Sequence, residues 1–216
     1  MGFAGVSHNF FFFITLSQFT NMSSIEERKF SFCPTISGLD INNLIVQCPK
    51  CTRFFAACCL HNSLGGDMFD PEKSICHHHQ IVFTDGACSH NGQGDGAKAG
   101  LGIVLSDSDD ALFWSIAVDD TLDSGPRTSQ RAELLAAIEG LKNLRLVHQY
   151  CKDPTENLSK SAARRRGNDT YIVVTDSEYV VKGITEWFPA WRVSCHSDRS
   201  SKFLALMELY IEQRMA

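Results

Sequence analysis

The sequence predicts a mixed α/β fold, because strand-like and helix-like segments alternate from about residue 80 onward. Three apolar, strand-like segments joined by short polar turns come first, and they predict three antiparallel strands in a meander. A long amphipathic segment then leads to a short, continuous apolar run. That order is typical of a parallel strand that is reached through a helical crossover.

The first predicted strand is the apolar run 81–83, which continues into Thr84, Asp85 and Gly86. The second strand, AGLGIVLS, follows the Gly-rich stretch NGQGDGAKAG, and the third strand, ALFWSIAV, follows the polar stretch SDSDD. Bulky and branched side chains favour strands, whereas Gly and Asp are frequent in turns.

The predicted helix begins at Thr128 and Ser129, which are typical helix-start residues. Four leucine and isoleucine residues then recur at helical spacing and predict about four helical turns. They are Leu134, Ile138, Leu141 and Leu144. After a polar segment, YIVVT predicts the fourth strand, and SEYVVKGITEWFPAW is helix-like up to Pro189.

Composition and charge exclude several classes of protein. A chain of 216 residues with 44% hydrophobic residues is neither collagen-like, nor a coiled coil, nor wholly disordered. The net charge of −5 gives no global basic field, so a nucleic-acid partner would depend on local patches. The nine cysteines are an odd number without a signal-peptide pattern, which predicts reduced thiols and an intracellular location, in the nucleus or the cytoplasm. The apolar run Phe10–Leu16 is shorter than the roughly 20 residues of a membrane span, so no membrane association is predicted.

Three segments are predicted along the chain. Residues 1–46 show no sustained period and are interpreted as a weakly ordered leader. Residues 47–79 concentrate cysteine and histidine, and residues 80–216 form the α/β domain.

Three acidic residues occupy positions that would converge in such a fold. Asp85 lies in the first strand, Glu133 near the start of the helix, and Asp176 directly after the fourth strand. Converging carboxylates repel one another unless a cation neutralises them, and Mg²⁺ prefers such oxygen ligands. Each acid also has an ordinary structural interpretation. Asp85 suits a hairpin turn, Glu133 complements the dipole of a helix N-terminus, and Asp176 suits an N-cap.

Three strings in this order resemble the type 1 ribonuclease H family. They are TDGAC before a Gly-rich turn, TSQRAELLAA, and VVTDSEYVVKGITEW with a second Trp four residues later. The resemblance covers about residues 80–192. It implies an endonuclease, a hydrolase that cuts the RNA strand of RNA/DNA hybrids with Mg²⁺ or Mn²⁺. By motif position, Asp85, Glu133 and Asp176 match three of the family's four catalytic, metal-binding acids.

The same resemblance implies a set of substrate-binding residues. Those near the first strand and the helix start would contact 2′-hydroxyls of the RNA, and two tryptophans would approach the DNA strand. They are Gly86, Cys88, Asn91, Thr128, Ser129, Gln130, Trp187 and Trp191. Ser129 departs from the Asn that is usual in the family, which predicts weaker binding at that position. For the two tryptophans, packing in the core is the alternative.

The C-terminal part departs from the family pattern. Only 25 residues follow Trp191, and they contain no recognisable fifth strand, His-bearing loop or last helix with the fourth acid. The sequence therefore predicts a fourth strand at the sheet edge, with its residues Ile172, Val173 and Val174 uncovered, and hence reduced stability. Three ligands instead of four predict weakened metal binding and much reduced cleavage.

The Cys/His-rich segment contains one CxxC, Cys48 and Cys51, which is half of a typical zinc site. Residues that would complete the site are Cys58, Cys59, His61, Cys76 and His77, and the preferred zinc set is Cys48, Cys51, Cys58 and Cys76. Packing of reduced cysteines beside Phe54 and Phe55 is the favoured alternative. Two other functions also stay open: a catalytically weak form that only binds hybrids or double-stranded RNA, and a zinc-stabilised interaction module.

Overall fold

The computed structural model describes residues 12–16, 29–58, 77–150 and 170–187, which form one mixed sheet of seven strands with a long helix packed on it. The strands are β1 (Phe12–Leu16), β2 (Ile45–Gln47), β3 (Phe54–Ala56), β4 (His79–Ser89), β5 (Lys98–Val104), β6 (Phe113–Ala117) and β7 (Thr170–Thr175). The helices are α1 (Ile41–Leu44), α2 (Ser129–Tyr150) and α3 (Glu178–Lys182), and α3 continues into a π-helical turn, Gly183–Trp187.

The predicted antiparallel meander and the parallel fourth strand are both confirmed. Strands β4, β5 and β6 pair antiparallel, with Asp85 opposite Gly102. Strand β7 returns through α2 and pairs parallel with the first half of β4, with Val82 opposite Val173. This pairing brings the C-terminal end of β7 close to the middle of β4, where Asp85 lies.

Helix α2 covers one face of the sheet. The four residues predicted to form its apolar side, Leu134, Ile138, Leu141 and Leu144, are all buried, together with Val82 and Val173 of the sheet. Close packing depends on Gly140, because a Cβ atom there would lie 2.5 Å from Cγ2 of Thr84 on β4. The helix therefore lies close enough to β4 for side chains near its start to reach the residues of that strand.

The opposite face of the sheet is covered by aromatic residues. Side chains alternate along a strand, so Ile81 and Ile172 face away from α2. They pack with Phe30 and Phe32, which precede α1, and with Phe54 of β3. Both Phe30 and Phe32 come from the segment that the sequence predicts to be a weakly ordered leader.

Residues 45–56, which span the end of the predicted leader and the start of the Cys/His-rich segment, continue the same sheet. Strands β2 and β3 form an antiparallel pair, and Phe55 of β3 pairs with Gln80 of β4. The backbone N–H of Phe54 also donates to the carbonyl of Leu105, just beyond β5, at 3.1 Å. Neither strand is predicted from the sequence, because three-residue strands are too short to show a period.

The prediction that the fourth strand lies uncovered at the sheet edge is wrong. Strand β1 pairs antiparallel with β7 along its whole length, from Phe12 opposite Thr175 to Leu16 opposite Tyr171. The backbone groups of β7 are therefore paired on both sides, by β4 and by β1. This pairing removes the physical basis for the predicted loss of stability.

Two predictions concern other parts of the chain. Among the described residues, none of the helices has both the length and the apolar composition to span a membrane. The predicted lack of a fifth strand and of a last helix concerns residues after Trp187, which lie outside the described residues.

Candidate functional site

Three carboxylates meet where β4, α2 and β7 come together. Asp85 projects from β4, Glu133 from α2, and Asp176 from the residue directly after β7. One oxygen of each lies within 4.8 Å of one oxygen of both others. Asp85 and Asp176 are exposed, whereas Glu133 is half-buried, so the cluster opens to solvent on one side.

The structure excludes the ordinary interpretations of two of these acids. Asp85 lies inside a regular strand, opposite Gly102, and not in a hairpin turn. The N-cap of α3 is Ser177, whose Oγ accepts a hydrogen bond from the backbone N–H of Val180 at 3.4 Å. Asp176 therefore does not cap this helix, and its carboxylate faces the other two acids.

Gly86 brings the helix against the strand at this point. A Cβ atom on Gly86 would lie 2.2 Å from the backbone nitrogen of Glu133 and 2.3 Å from the carbonyl carbon of Ala132. No other residue type fits such a close approach of two backbones. The backbone N–H of Gly86 donates to Oε2 of Glu133 at 3.2 Å, which orients this carboxylate beside Asp85.

The electrostatics of the cluster favour a cation. Burial raises the pKa of Glu133, and the charges of Asp85 and Asp176 raise it further, to about 7, against the opposing hydrogen bond from Gly86. Burial and the two neighbouring negative charges both disfavour the ionised form of this carboxyl group, and a bound cation would offset both effects. The donor set consists of carboxylate oxygens alone, which suits a hard divalent cation such as Mg²⁺. Asp85, Glu133 and Asp176 are the residues that would hold it.

A second group of polar residues lies at the start of α2. The side-chain Oδ1 of Asn91 accepts a hydrogen bond from the backbone N–H of Ser129 at 2.9 Å. The backbone N–H of Gly92 donates to the carbonyl of Arg127 at 2.9 Å. The structure therefore places Asn91, one of the predicted substrate contacts near the first strand, against the predicted contacts at Thr128–Gln130.

Comparison with known proteins agrees with this arrangement. A family model described as RNase H matches residues 77–215, which include all three carboxylates and the polar group at the start of α2. The chain belongs to the RNase H family.

Three curated relatives named Ribonuclease H are similar to this chain over about half of its length. The protein from Cyanothece sp. is 32% identical over 111 residues, 51% of this chain and 53% of that protein. The protein from Geotalea uraniireducens is 34% identical over 110 residues, 51% of this chain and 54% of that protein. The protein from Crithidia fasciculata is 31% identical over 121 residues, 52% of this chain and 23% of that protein. The chain thus spans about half the length of the two bacterial RNase H proteins.

An ion pair that the sequence did not reveal fixes the connection from β6 to α2. Nε of Arg131 donates to Oδ2 of Asp123 at 2.9 Å, and Nη2 of the same guanidinium donates to Oδ1. Burial would raise the pKa of Asp123, but the hydrogen bonds from Arg131 and from the N–H of Gly125, with the charges of Arg131 and Arg127, lower it. A charged pair eight residues apart across a turn has no recognisable spacing, so no sequence signal could have identified it.

The remaining predicted contacts have less defined positions. Cys88 is half-buried and Gln130 is exposed. Trp187 is partly buried, and its ring contacts that of Tyr179 edge to face, with centroids 5.4 Å apart. Trp191 lies outside the described residues.

Part of the predicted zinc set also comes together. The Sγ atoms of Cys48 and Cys51 lie within 4.8 Å of each other and of a ring nitrogen of His77. Cys58 is buried but does not belong to this group, which corrects its predicted role as a ligand. Cys59, His61 and Cys76 lie outside the described residues.

Proposed function

We propose that this chain is a ribonuclease H that hydrolyses the RNA strand of RNA/DNA hybrids endonucleolytically, with Mg²⁺ or Mn²⁺ as cofactor. The observation that carries the proposal is the convergence of Asp85, Glu133 and Asp176 at the junction of β4, α2 and β7. Membership of the RNase H family and the names of the relatives support the same reaction.

The roles of the three acids follow from their positions. Asp85 and Asp176 are exposed and would hold the cation from two strands, while Glu133 would hold it from the helix. When bound, the cation would activate the attacking water and stabilise the leaving oxygen of the scissile phosphodiester. Glu133 must release its proton to bind a cation, so binding weakens as the pH falls below the pKa of this residue.

Recognition of RNA is assigned to the surface beside the cluster. Oδ1 of Asn91 is held by Ser129, so the NH₂ group of this amide is the part that can donate to a 2′-hydroxyl. The hydroxyl groups of Thr128 and Ser129 and the amide of Gln130 lie on the same helix start. Contacts with 2′-hydroxyls distinguish RNA from DNA, so these residues would select the strand that is cut.

The test is cleavage of a labelled RNA/DNA hybrid by the purified chain with Mg²⁺ or Mn²⁺. Double-stranded DNA and double-stranded RNA serve as alternative substrates. The Asp85→Asn variant removes a ligand without changing size, and Asp110→Asn is the matched control because Asp110 lies on an exposed turn between β5 and β6. We expect cutting of the RNA strand alone, lowered about 100-fold or more by Asp85→Asn and unchanged by Asp110→Asn.

Other outcomes would contradict the proposal in distinct ways. Equal cutting by the wild type and by Asp85→Asn would assign the activity to a contaminating nuclease. No cutting by the wild type, with hybrid binding retained, would make the chain a hybrid-binding form without catalysis. The predicted weakness of metal binding with three acids would be wrong if the turnover equalled that of the curated relatives in the same assay.

A further inference from the structure

We propose that Cys48, Cys51 and His77 supply three of the four ligands of one tetrahedral Zn²⁺ ion, at a structural site that joins the β2–β3 hairpin to the start of β4. The site is separate from the carboxylate cluster, shares no residue with it, and consists of the sulfur and nitrogen donors that Zn²⁺ prefers. It does not depend on the proposed nuclease activity.

The turn between β2 and β3 places the two thiols on the same side. The backbone N–H of Cys48 donates to the carbonyl of Arg53 at 2.9 Å, and the N–H of Thr52 donates to the carbonyl of Cys48 at 2.8 Å. Thr52 adopts φ of +59°, a left-handed conformation that is rare for a β-branched residue. The backbone thus folds tightly around residues 49–51 and returns Cys51 to the side of Cys48.

His77 reaches the two thiols from a distant part of the chain. Its ring stacks on that of Phe55 in β3, with centroids 4.2 Å apart and planes 10° apart. Phe55 is fully buried, so the stacking fixes the position of the imidazole. Nε2 of His77 lies 3.9 Å from Sγ of Cys51. Tetrahedral zinc with ordinary bond lengths requires about 3.6 Å between such atoms, so a small adjustment would bring this pair into position.

A second interaction fixes the turn next to β4 independently of any metal. Arg53 is 3% exposed, and its Nη1 donates to Oε1 of the buried Gln80 at 3.0 Å. The guanidinium also lies over the ring of Phe55, 5.3 Å from its centroid. The donors for Zn²⁺ are therefore held close together by a rigid framework, and ion binding requires little further ordering of the chain.

Two alternatives to a metal site, packing of reduced thiols and a disulfide, explain fewer of the observed contacts. Simple packing of reduced thiols explains the burial of Cys48, which is 3% exposed, but not the presence of an exposed imidazole beside the half-buried Cys51. A disulfide between Cys48 and Cys51 would leave the stacked His77 without a role. A metal site uses all three groups.

The test is the zinc content of the purified full chain, measured by elemental analysis without metal-affinity purification. We expect about one Zn²⁺ per chain in the wild type and less than about a fifth of that in Cys51→Ser and in His77→Ala. The matched controls are Cys33→Ser and His78→Ala, which change the same residue types outside the site and should retain the zinc. Asp85→Asn should also retain it, because the carboxylate cluster is separate.

A second measurement keeps the proposal testable if the variants fail to fold. Wild-type protein loaded with Co²⁺ should show the intense visible absorption of tetrahedral cobalt with thiolate ligands, and Zn²⁺ should displace it. Alkylation mapped by mass spectrometry should find Cys48 and Cys51 protected until a chelator is added. Absence of zinc and of the cobalt spectrum, a Cys48–Cys51 disulfide, or zinc lost only in Asp85→Asn would each overturn the proposal.

Discussion

Gly86 is the residue on which the position of Glu133 depends. The strand and the helix backbone approach so closely here that a methyl group would overlap the peptide between Ala132 and Glu133. Because both neighbours are backbone atoms within regular elements, neither can move aside by a change of rotamer. The same N–H that orients the Glu133 carboxylate belongs to this glycine, so packing and site geometry depend on one residue.

Gly86→Ala is therefore expected to lower the free energy of unfolding by about 3 kcal/mol or more, because the helix must move away from the strand. Chemical denaturation monitored by circular dichroism measures this change. Gly100→Ala in β5 is the matched control, since the nearest atom to its Cβ would be the carbonyl oxygen of Ile116 at an ordinary 3.7 Å. Equal stability of the two variants would contradict the close approach at Gly86.

The raised pKa of Glu133 predicts how stability depends on pH without metal. The pKa rises from its ordinary value of 4.5 to about 7, so the folded state binds this proton more tightly than the unfolded state. This contribution is fully present below the ordinary pKa and is lost as the pH rises through about 7. Denaturation of the metal-free protein across this range should show a decline in stability.

The variant Glu133→Gln should flatten this decline, because the amide does not titrate. Glu139→Gln, on the same helix and paired with Lys142, is the control and should leave the decline unchanged. Added Mg²⁺ should stabilise the wild type most at the higher pH values, where Glu133 is ionised. A decline that persists in Glu133→Gln would assign it to other groups.

Helix α2 connects the sheet, the carboxylate cluster and the polar surface at its own start. It packs on β4, β5 and β7, supplies Glu133, and presents the Thr128–Gln130 surface at its start. Its position along its own axis depends on the connection that precedes it, where Arg131 binds Asp123 through two hydrogen bonds. A second pair, Arg127 with Asp120 at 2.7 Å, lies next to it but is exposed on the acid side.

Asp123→Asn is expected to cost about 1 to 3 kcal/mol of stability, because it removes a partly buried, charged pair of hydrogen bonds. Asp120→Asn, the control, should cost less than about 1 kcal/mol, as exposed pairs do. The lowered pKa of Asp123 gives the sign of the pH effect. Its contribution is present above the ordinary pKa and lost as the pH falls through the lowered one, so the two variants should become equally stable in acid. Equal stability at neutral pH would contradict this difference.

At the scale of the whole molecule, the N-terminal segments complete the sheet. Strand β1 covers the free side of β7, while β2 and β3 extend the sheet beside β4. Phe30 and Phe32 cover the face opposite α2. The part of the chain that matches the RNase H family, residues 77–215, is therefore not the whole of the folded unit.

Deletion of residues 2–20 is expected to expose the edge of β7 and lower stability by about 1 to 3 kcal/mol through the lost backbone hydrogen bonds. The exposed strand should also promote self-association, seen as a mass that increases with concentration in analytical ultracentrifugation. Deletion of residues 2–8, which retains β1, is the control. A mass and a stability in the longer deletion equal to those of the undeleted chain would contradict a role for β1.

The sequence by itself determined the meander β4–β6, helix α2, strand β7 and the three carboxylates. Each of those elements is long or regular enough for its pattern of buried and exposed residues to be visible locally, and Asp85, Glu133 and Asp176 occupy defined places on them. Once strands and helix were placed, the convergence of the acids followed from the parallel pairing of β4 and β7.

Only the tertiary structure decided which segment covers β7, how the N-terminal aromatics pack, and that His77 lies beside Cys51. The five residues of β1 and the three of β2 and of β3 are too short to show a period, and they are stabilised by hydrogen bonds to distant strands. Backbone hydrogen bonding and apolar burial across the whole chain determine which strands pair. The spacing of residues within a single segment encodes neither of these two factors.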